Sequence, residues 1–336
     1  MINRREVLKG IGMGGALIAA PSILKAKTVK KFRMGHIFPT NHPYHLGLVR
    51  FGKELEERTD GALSVEVFPS GQIGGEVQIL EGMKFGIVDG GAVAVGSIPA
   101  THNIQRFNLL DMPYLFENYD AVERFATGAV GDSFRETLPS EAGFHIVGYG
   151  SAGFHQILNK VRPVTTPEDL TNMKLRIWEA PGAKLALEIM GASPTPMAYS
   201  EAFGALQQGV IDGITNSMTT LYQTKMYEVA NYLSLTQHAY VWVPIVLSNA
   251  AINSVGKPEQ LAIKEAGDAA AKYFRSLYPL DDMKYRKKFE EAGTRIIEAD
   301  QKLFRAMVET DYERYEKLVS KEDAHLVQLL AGLSNA

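Results

Sequence analysis

The feature that most constrains this chain is an alternation of short strand-like segments with longer helix-like segments beyond its N-terminal region. Residues 32–37 predict a strand, residues 43–58 a helix, and residues 63–67 a second strand whose apolar side chains alternate with polar ones. Such alternation is typical of α/β folds, in which helices cover the faces of a sheet. After Pro258 the pattern is helical almost to the end, interrupted by a strand-like segment at residues 294–297. We therefore predict an α/β fold with a helical C-terminal region.

The middle of the chain indicates where one domain gives way to another. Residues 144–150 and 154–159 predict two strands, separated by the stretch Gly150-Ser151-Ala152-Gly153. This glycine pair is where we expect the chain to cross between domains. Further on, Thr166, followed by proline and two acids, predicts the start of a helix. Because the 336 residues contain no repeat, low-complexity tract or flexible linker, we expect two interleaved domains.

Residues 1–26 have the layout of a signal peptide: a charged start with Arg4 and Arg5, an apolar run at residues 10–20 and a short polar exit. The paired arginines resemble the twin-arginine export motif. A membrane anchor is the alternative, but the apolar run is well short of the ~20 residues that span a bilayer. The pattern G-x-G-x-x-G at residues 10–15 predicts no dinucleotide site, because no strand precedes it. We expect cleavage after export to the periplasm by the twin-arginine route.

Composition and spacing argue against several kinds of chemistry. The chain contains no cysteine, which excludes thiol catalysis, disulfides, Fe–S clusters and cysteine-bound zinc. The formal net charge is −3 although the leader is basic, so the remainder suits neither nucleic acid nor an anionic membrane. His42 and His45 lie three residues apart, but no metal-site motif, P-loop or nucleophile elbow is present. We expect no cofactor, no metal, no nucleic-acid partner and no membrane insertion of the mature chain.

Arg176 is the most informative charged residue. Met173, Leu175 and Ile177 share one face of a predicted strand, which places Arg176 on the opposite face near the strand's end. Ligands of open α/β sheets bind beyond the carboxyl ends of strands. A guanidinium there offers a planar fork that matches a carboxylate. Taken alone, a surface or structural arginine is the favoured interpretation, since most charged residues lie on solvated faces.

The sequence around Arg176 resembles the extracytoplasmic binding proteins of tripartite ATP-independent periplasmic (TRAP) transporters, the DctP family. The resemblance covers essentially all of the mature chain, with the family's motifs in order. The stretches that carry it are MKLRI at 173–177, GASPTPMAYSE at 191–201, ALQQGVIDGITN at 205–216, FPSGQIGGE at 68–76, DMPYLF at 111–116 and KMYEV at 225–229.

The resemblance implies a two-lobed periplasmic-binding-protein clamshell. It traps a small organic acid between α/β lobes and delivers it to the membrane permease subunits of a TRAP transporter. The implied lobes are residues 27–152 plus 242–281, and residues 153–241 plus 282–336 with hinge-spanning and C-terminal helices. Two alternatives stay open: a small-molecule enzyme on the same clamshell, and a module that presents its ligand to a signalling receptor.

The same resemblance implies roles for individual residues. Arg176 takes the place of the arginine that salt-bridges the ligand carboxylate. Asn216 falls where an asparagine hydrogen-bonds that group, and Tyr199 where an aromatic ring packs against it. Glu76 and His36 fall where polar residues of the first lobe reach into the cleft.

One position departs from the family pattern. Many members carry a second arginine in a Gly-Phe-Arg stretch, where this chain has Gly153-Phe154-His155. A neutral imidazole gives hydrogen bonds but little charge near neutral pH. We therefore expect His155 to favour a ligand with one strongly recognised carboxylate plus hydroxyl, keto or aromatic groups over a plain dicarboxylate. Trp178, Tyr240 and Trp242 are candidates for an aromatic wall of the site, or for core packing.

Overall fold

The computed structural model describes residues 29–326 and 329–330. The predicted signal peptide, residues 1–26, lies outside the described residues. Within them, nine strands form one mixed sheet. The strands are β1 (Lys30–Gly35), β2 (Leu63–Phe68), β3 (Gly90–Ala92), β4 (Phe144–Asn159), β5 (Lys174–Ile177), β6 (Ser193–Pro196), β7 (Gly213–Asn216), β8 (Tyr232–Ser248) and β9 (Arg295–Glu298).

The sheet has two halves joined by its two longest strands. Its order is β2-β1-β3-β8-β4-β7-β5-β6, and β9 pairs with β8. The pairs among β1, β2 and β3 and among β5, β6 and β7 are parallel, whereas β4 and β8 run antiparallel to each other along nearly their whole length. We call the half with β1–β3 the first lobe and the half with β5–β7 the second lobe. Because β4 and β8 belong to both, the chain crosses between lobes more than once, and the predicted α/β clamshell with interleaved domains is confirmed.

Helices cover the sheet and connect its strands. They are α1 (Pro43–Arg58), α2 (Glu76–Lys84), α3 (Ser97–His102), α4 (Tyr119–Thr127), α5 (Ala129–Glu136), α6 (Leu138–Glu141), α7 (Pro181–Ile189), α8 (Tyr199–Gln208), α9 (Met218–Gln223), α10 (Asn249–Asn253), α11 (Lys257–Glu291), α12 (Gln301–Glu309) and α13 (Glu313–Glu316), with 3₁₀ turns at Gln105–Asp111, Pro167–Leu170 and Met226–Glu228. None of the helices in the described part of the chain combines the length and the apolar character needed to cross a membrane.

The long helix α11 ties the lobes together. It runs for 35 residues through Pro279 and packs against α1 of the first lobe, β4, and α9 of the second lobe. The predicted lobe boundary between residues 281 and 282 therefore falls inside a continuous helix. The division of residues between lobes stays a prediction.

The predicted break at residues 150–153 is instead a bulge within β4. The pairing with β8 shifts register between Ser151 and Gly153, and Gly153 has φ +74°. A Cβ on Gly150 would lie 2.2 Å from the Phe274 ring of α11. The glycines therefore let a single strand bend and let α11 approach closely, instead of ending the strand. The predicted helix start at Thr166 is a capping box that opens only the 3₁₀ turn Pro167–Leu170.

Candidate functional site

A cavity of about 310 Å³ lies between the two lobes. It joins a wider cavity of about 820 Å³ that extends past the loop between β2 and α2, and the two share Arg176, Glu76, Tyr199 and Trp178. The lining combines a few charged and polar side chains with aromatic and aliphatic ones, as small-molecule sites do. The residues that line the inner cavity are Ile37, Phe38, Tyr44, Glu76, Ala94, Ala152, His155, Arg176, Trp178, Tyr199, Asn216 and Val241.

Arg176 reaches this cavity from β5, as strand alternation predicts. Leu175 and Ile177 point the other way into the core, at 0% and 2% exposure. Arg176 is itself only 3% exposed. Its Nε and Nη2 donate to the Met197 carbonyl oxygen over 3.1 and 2.9 Å, and its guanidinium lies 5.0 Å from the centre of the Tyr199 ring. These contacts fix the guanidinium in one orientation.

The positive charge of Arg176 is not neutralised by an ion pair. Among the residues that the structure describes, no carboxylate lies within 4.0 Å of its guanidinium. Burial lowers the pKa of Arg176, although the neighbouring tyrosines and glutamates act in the opposite direction. An arginine side chain nevertheless stays charged in a protein. A buried charge without a counter-ion is costly, so an anion entering the cavity gains a strong partner.

Glu76 faces Arg176 from the first lobe. It is the first residue of α2, where the helix dipole favours an acid. Its carboxylate accepts from the Ala94 backbone N–H over 2.9 Å and from the Ser97 hydroxyl over 3.1 Å. Burial raises the pKa of Glu76, whereas these hydrogen bonds and the charge of Arg176 lower it. The carboxylate is therefore held rigidly by its own lobe and can accept hydrogen bonds in the cavity.

His155 and Trp178 bring uncommitted polar atoms to the same cavity. His155 is 2% exposed, and neither of its ring nitrogens has a hydrogen-bond partner in the described structure. The Nε1 of Trp178 is likewise unpartnered, and the two rings meet edge to face at 5.4 Å. Burial, His238 and Arg176 all lower the pKa of His155, so its imidazole is neutral. It offers one donor and one acceptor.

Asn216 and Tyr199 complete the wall on the second lobe. Asn216 ends β7, and its Oδ1 accepts from the Ser217 backbone N–H over 2.9 Å. Its Nδ2 has no protein acceptor among the described residues and can donate to a ligand. Tyr199 begins α8, and its hydroxyl lies 2.7 Å from Thr224 Oγ1. The Tyr199 ring is thus held between Arg176 and the first lobe.

The structure places five of the six predicted site residues on this cavity, and His36 elsewhere. His36 follows β1 and is 0% exposed, but it does not line either cavity. Its Nε2 lies 3.0 Å from His45 Nδ1, and its Nδ1 accepts from the Phe38 backbone N–H. Burial and His45 lower the pKa of His36 to about 3, so the ring is neutral. Its neighbours Ile37 and Phe38 line the cavity instead.

Two first-lobe aromatics in the lining, Phe38 and Tyr44, were not identified from the sequence. They flank His42 at the start of α1, and nothing in their local pattern distinguishes them from core residues. Of the three aromatic wall candidates, only Trp178 lines the cavity. Tyr240 and Trp242 belong to an aromatic cluster of the core, with ring centres 4.8 Å apart.

Trp178 also borders a third cavity of about 250 Å³, whose lining does not include Arg176. Asp111, Thr215 and His238 line it. Burial raises the pKa of Asp111 to about 8 and lowers the pKa of His238 to about 3. Both groups are therefore neutral near pH 7.

Fold and cavity together define a two-lobed solute-binding protein. The family described as bacterial extracellular solute-binding protein, family 7 (DctP), matches residues 34–318, and the chain belongs to this family. The resemblance to TRAP transporter binding proteins is thereby confirmed.

Similar proteins extend over nearly the same length. The 2,3-diketo-L-gulonate-binding periplasmic protein of Escherichia coli K12 is 28% identical, covering 89% of this chain and 90% of that protein. A TRAP periplasmic solute-binding protein from Roseobacter denitrificans, solved with bound L-galactonate, is 29% identical with a TM-score of 0.81, covering 90% and 99% of the two chains. Another from Chromohalobacter salexigens, with bound D-glucuronate, is 28% identical with a TM-score of 0.84 at the same coverages.

Proposed function

We propose that this protein is the substrate-binding subunit of a TRAP uptake transporter, and that it captures a small organic acid between its lobes. The observation that carries the proposal is Arg176, which is buried, oriented by Met197 and Tyr199, and has no carboxylate of the described residues within 4.0 Å. A carboxylate that leaves water needs fixed donors to replace its hydration, and a desolvated guanidinium supplies the strongest.

The other cavity residues favour a hydroxylated or keto acid. Within the described structure, His155 and Trp178 have ring nitrogens without protein partners, Asn216 Nδ2 donates to no described residue, and Glu76 and His155 present acceptors. Among the described residues of the inner lining, Arg176 alone carries a positive charge, so one carboxylate is recognised strongly and a second is not. Relatives with bound L-galactonate and D-glucuronate support this ligand class.

Lobe closure couples binding to transport. Closure excludes water and strengthens the pair between Arg176 and the carboxylate. The ligand therefore shifts the population towards the closed form, which a membrane permease can recognise. Export to the periplasm by the twin-arginine route, directed by residues 1–26, belongs to the same proposal, as does release of the ligand without chemical change.

Calorimetric titration of the mature protein tests the ligand class. The panel is L-galactonate, D-glucuronate and 2,3-diketo-L-gulonate, with D-galactose as the uncharged control and succinate and malate as dicarboxylates. We expect at least one sugar acid to bind, D-galactose not to bind, and the dicarboxylates to bind more weakly. Tightest binding by succinate or malate would contradict the ligand class, and binding of D-galactose with equal affinity would contradict the role of the carboxylate.

Two further observations separate the proposal from its alternatives. Ligand recovered unaltered after long incubation is expected of a binding protein and not of an enzyme. Uptake of the same acid should be lost when the gene is deleted in its host. Intact uptake would instead favour presentation to a receptor.

A further inference from the structure

The segment that leads into α1 contacts α9 of the second lobe twice: the Asn41 backbone carbonyl accepts from Gln223 Nε2 over 3.3 Å, and His42 contacts Thr220. His42 caps α1: its Nδ1 accepts from the Tyr44 backbone N–H over 3.2 Å. Its Nε2 lies 3.0 Å from the Oγ1 of Thr220 in α9, a residue 178 positions away on the other lobe. Because Nδ1 acts as an acceptor, a neutral ring carries its proton on Nε2. His42 therefore donates its hydrogen bond across the lobe boundary.

Both partners of this hydrogen bond are shielded from water. His42 and Thr220 are each 0% exposed. Burial and the neighbouring His36 hold the pKa of His42 well below its usual range, so the ring is neutral. The Thr220 hydroxyl also lies 3.0 Å from Ser217 Oγ, the cap of α9. In the described structure Thr220 is the hydrogen-bond partner of His42 Nε2.

The hydrogen bond stands directly behind the wall of the ligand cavity. Phe38 stacks on the His42 ring with centres 4.0 Å apart, and Phe38 meets Tyr199 of the second lobe edge to face at 4.8 Å. Phe38 and Tyr199 line the cavity, and the guanidinium of Arg176 lies over the Tyr199 ring, 5.0 Å from its centre. The hydrogen bond between His42 and Thr220 therefore joins the lobes next to the point where Phe38 and Tyr199 join them.

We propose that His42 is a latch between the lobes, a positioning residue that holds the cavity walls together through its hydrogen bond to Thr220 Oγ1. The latch acts on the closed form alone, because its partners belong to different lobes. A net contribution typical of one neutral hydrogen bond changes the closed-to-open ratio about fivefold. The inference uses the fold and not the identity of the ligand.

Spin-label distances between the lobes test the latch. The chain has no cysteine, so Glu56→Cys in α1 and Gln207→Cys in α8 provide two exposed labelling positions, one on each lobe. Pulsed electron paramagnetic resonance then gives the populations of short and long distances in the protein without added ligand.

Two variants break the latch and one preserves it. His42→Asn keeps an acceptor that caps α1 but is too short to reach Thr220. Thr220→Val removes the hydroxyl at nearly constant shape, and Thr220→Ser retains it. We expect His42→Asn and Thr220→Val each to lower the ratio of short to long distances about fivefold. Their combination should lower it no further, and Thr220→Ser should match the wild type.

Three results would overturn the latch. They are a wild-type protein with only the long distance, populations unchanged by His42→Asn, and a double variant whose effect is the product of the two single effects. Circular dichroism and the Tm of each variant check that α1 and the fold are intact. Since no ligand is added, the outcome is independent of whether an organic acid binds.

Discussion

Replacing Arg176 by Met tests the contribution of this side chain to binding separately from its contribution to folding. The change removes the charge and its five N–H donors but keeps an unbranched chain in the space between Met197 and Tyr199. We expect the affinity for the tightest-binding acid of the panel to fall by about 3–5 kcal/mol, the cost of breaking a buried ion pair. This loss corresponds to about two to three and a half orders of magnitude in Kd.

The stability of the unliganded variant should change little, since opposing effects cancel. The Met197 carbonyl oxygen loses its two donors, at a cost of about 1–3 kcal/mol. Against this, the variant no longer buries a guanidinium that has no described carboxylate within 4.0 Å, which relieves a desolvation penalty of several kcal/mol. Titration calorimetry gives the affinity, and chemical unfolding without ligand gives the free energy of unfolding.

Arg275 offers a matched control. It is also a buried arginine, at 5% exposure, but both its Nε and Nη2 donate to Glu123 over 2.7 Å. Arg275→Met should therefore lower the free energy of unfolding by about 1.5–3 kcal/mol, the value of hydrogen bonds to charged groups, and leave the affinity of the folded protein unchanged. If Arg176→Met retained wild-type affinity, or lost stability as Arg275→Met does without losing affinity, the assignment of Arg176 to the ligand would be wrong.

Three further substitutions test the site and the fold. His155→Arg should raise the affinity for succinate relative to L-galactonate about tenfold or more, because a second guanidinium can pair with the second carboxylate. If competition calorimetry finds an unchanged ratio of the two dissociation constants, His155 does not determine this preference. Burial holds the pKa of His238 at about 3, below its unfolded value of about 6.5, so the protein loses stability as the pH falls from 6.5 towards 3 and the unfolded chain takes up this proton. His238→Gln should therefore reduce the decrease in Tm between pH 6.5 and pH 3, and an unchanged decrease would refute this assignment. Gly150→Ala should lower the free energy of unfolding by about 1–3 kcal/mol, because the added Cβ would clash with the Phe274 ring. Gly204→Ala is the control and should not destabilise the protein, because its Cβ would meet only a side-chain nitrogen of Gln208, at 3.9 Å.

Local sequence pattern determined the elements and the faces they present. The period of two at residues 173–177 placed Arg176 opposite Leu175 and Ile177, and the structure has the same division between cavity and core. The α/β class follows from the same cause, since alternation of side-chain direction is a property of each strand and needs no knowledge of its neighbours. The family motifs added the clamshell and brought Asn216, Tyr199, Glu76 and His155 to one site.

Tertiary structure alone decided which of these residues meet. His36 directly precedes Ile37, which lines the cavity, but the His36 side chain points in another direction and contacts His45. The glycines at 150 and 153 signal a break by their composition, but only the approach of α11 shows that they bend one continuous strand. Phe38 and Tyr44 become walls of the cavity because the second lobe folds over them. Contacts between residues more than a hundred positions apart leave no periodic signal in the local sequence. The local pattern therefore identifies Arg176, but it does not identify the residues that form the cavity around it.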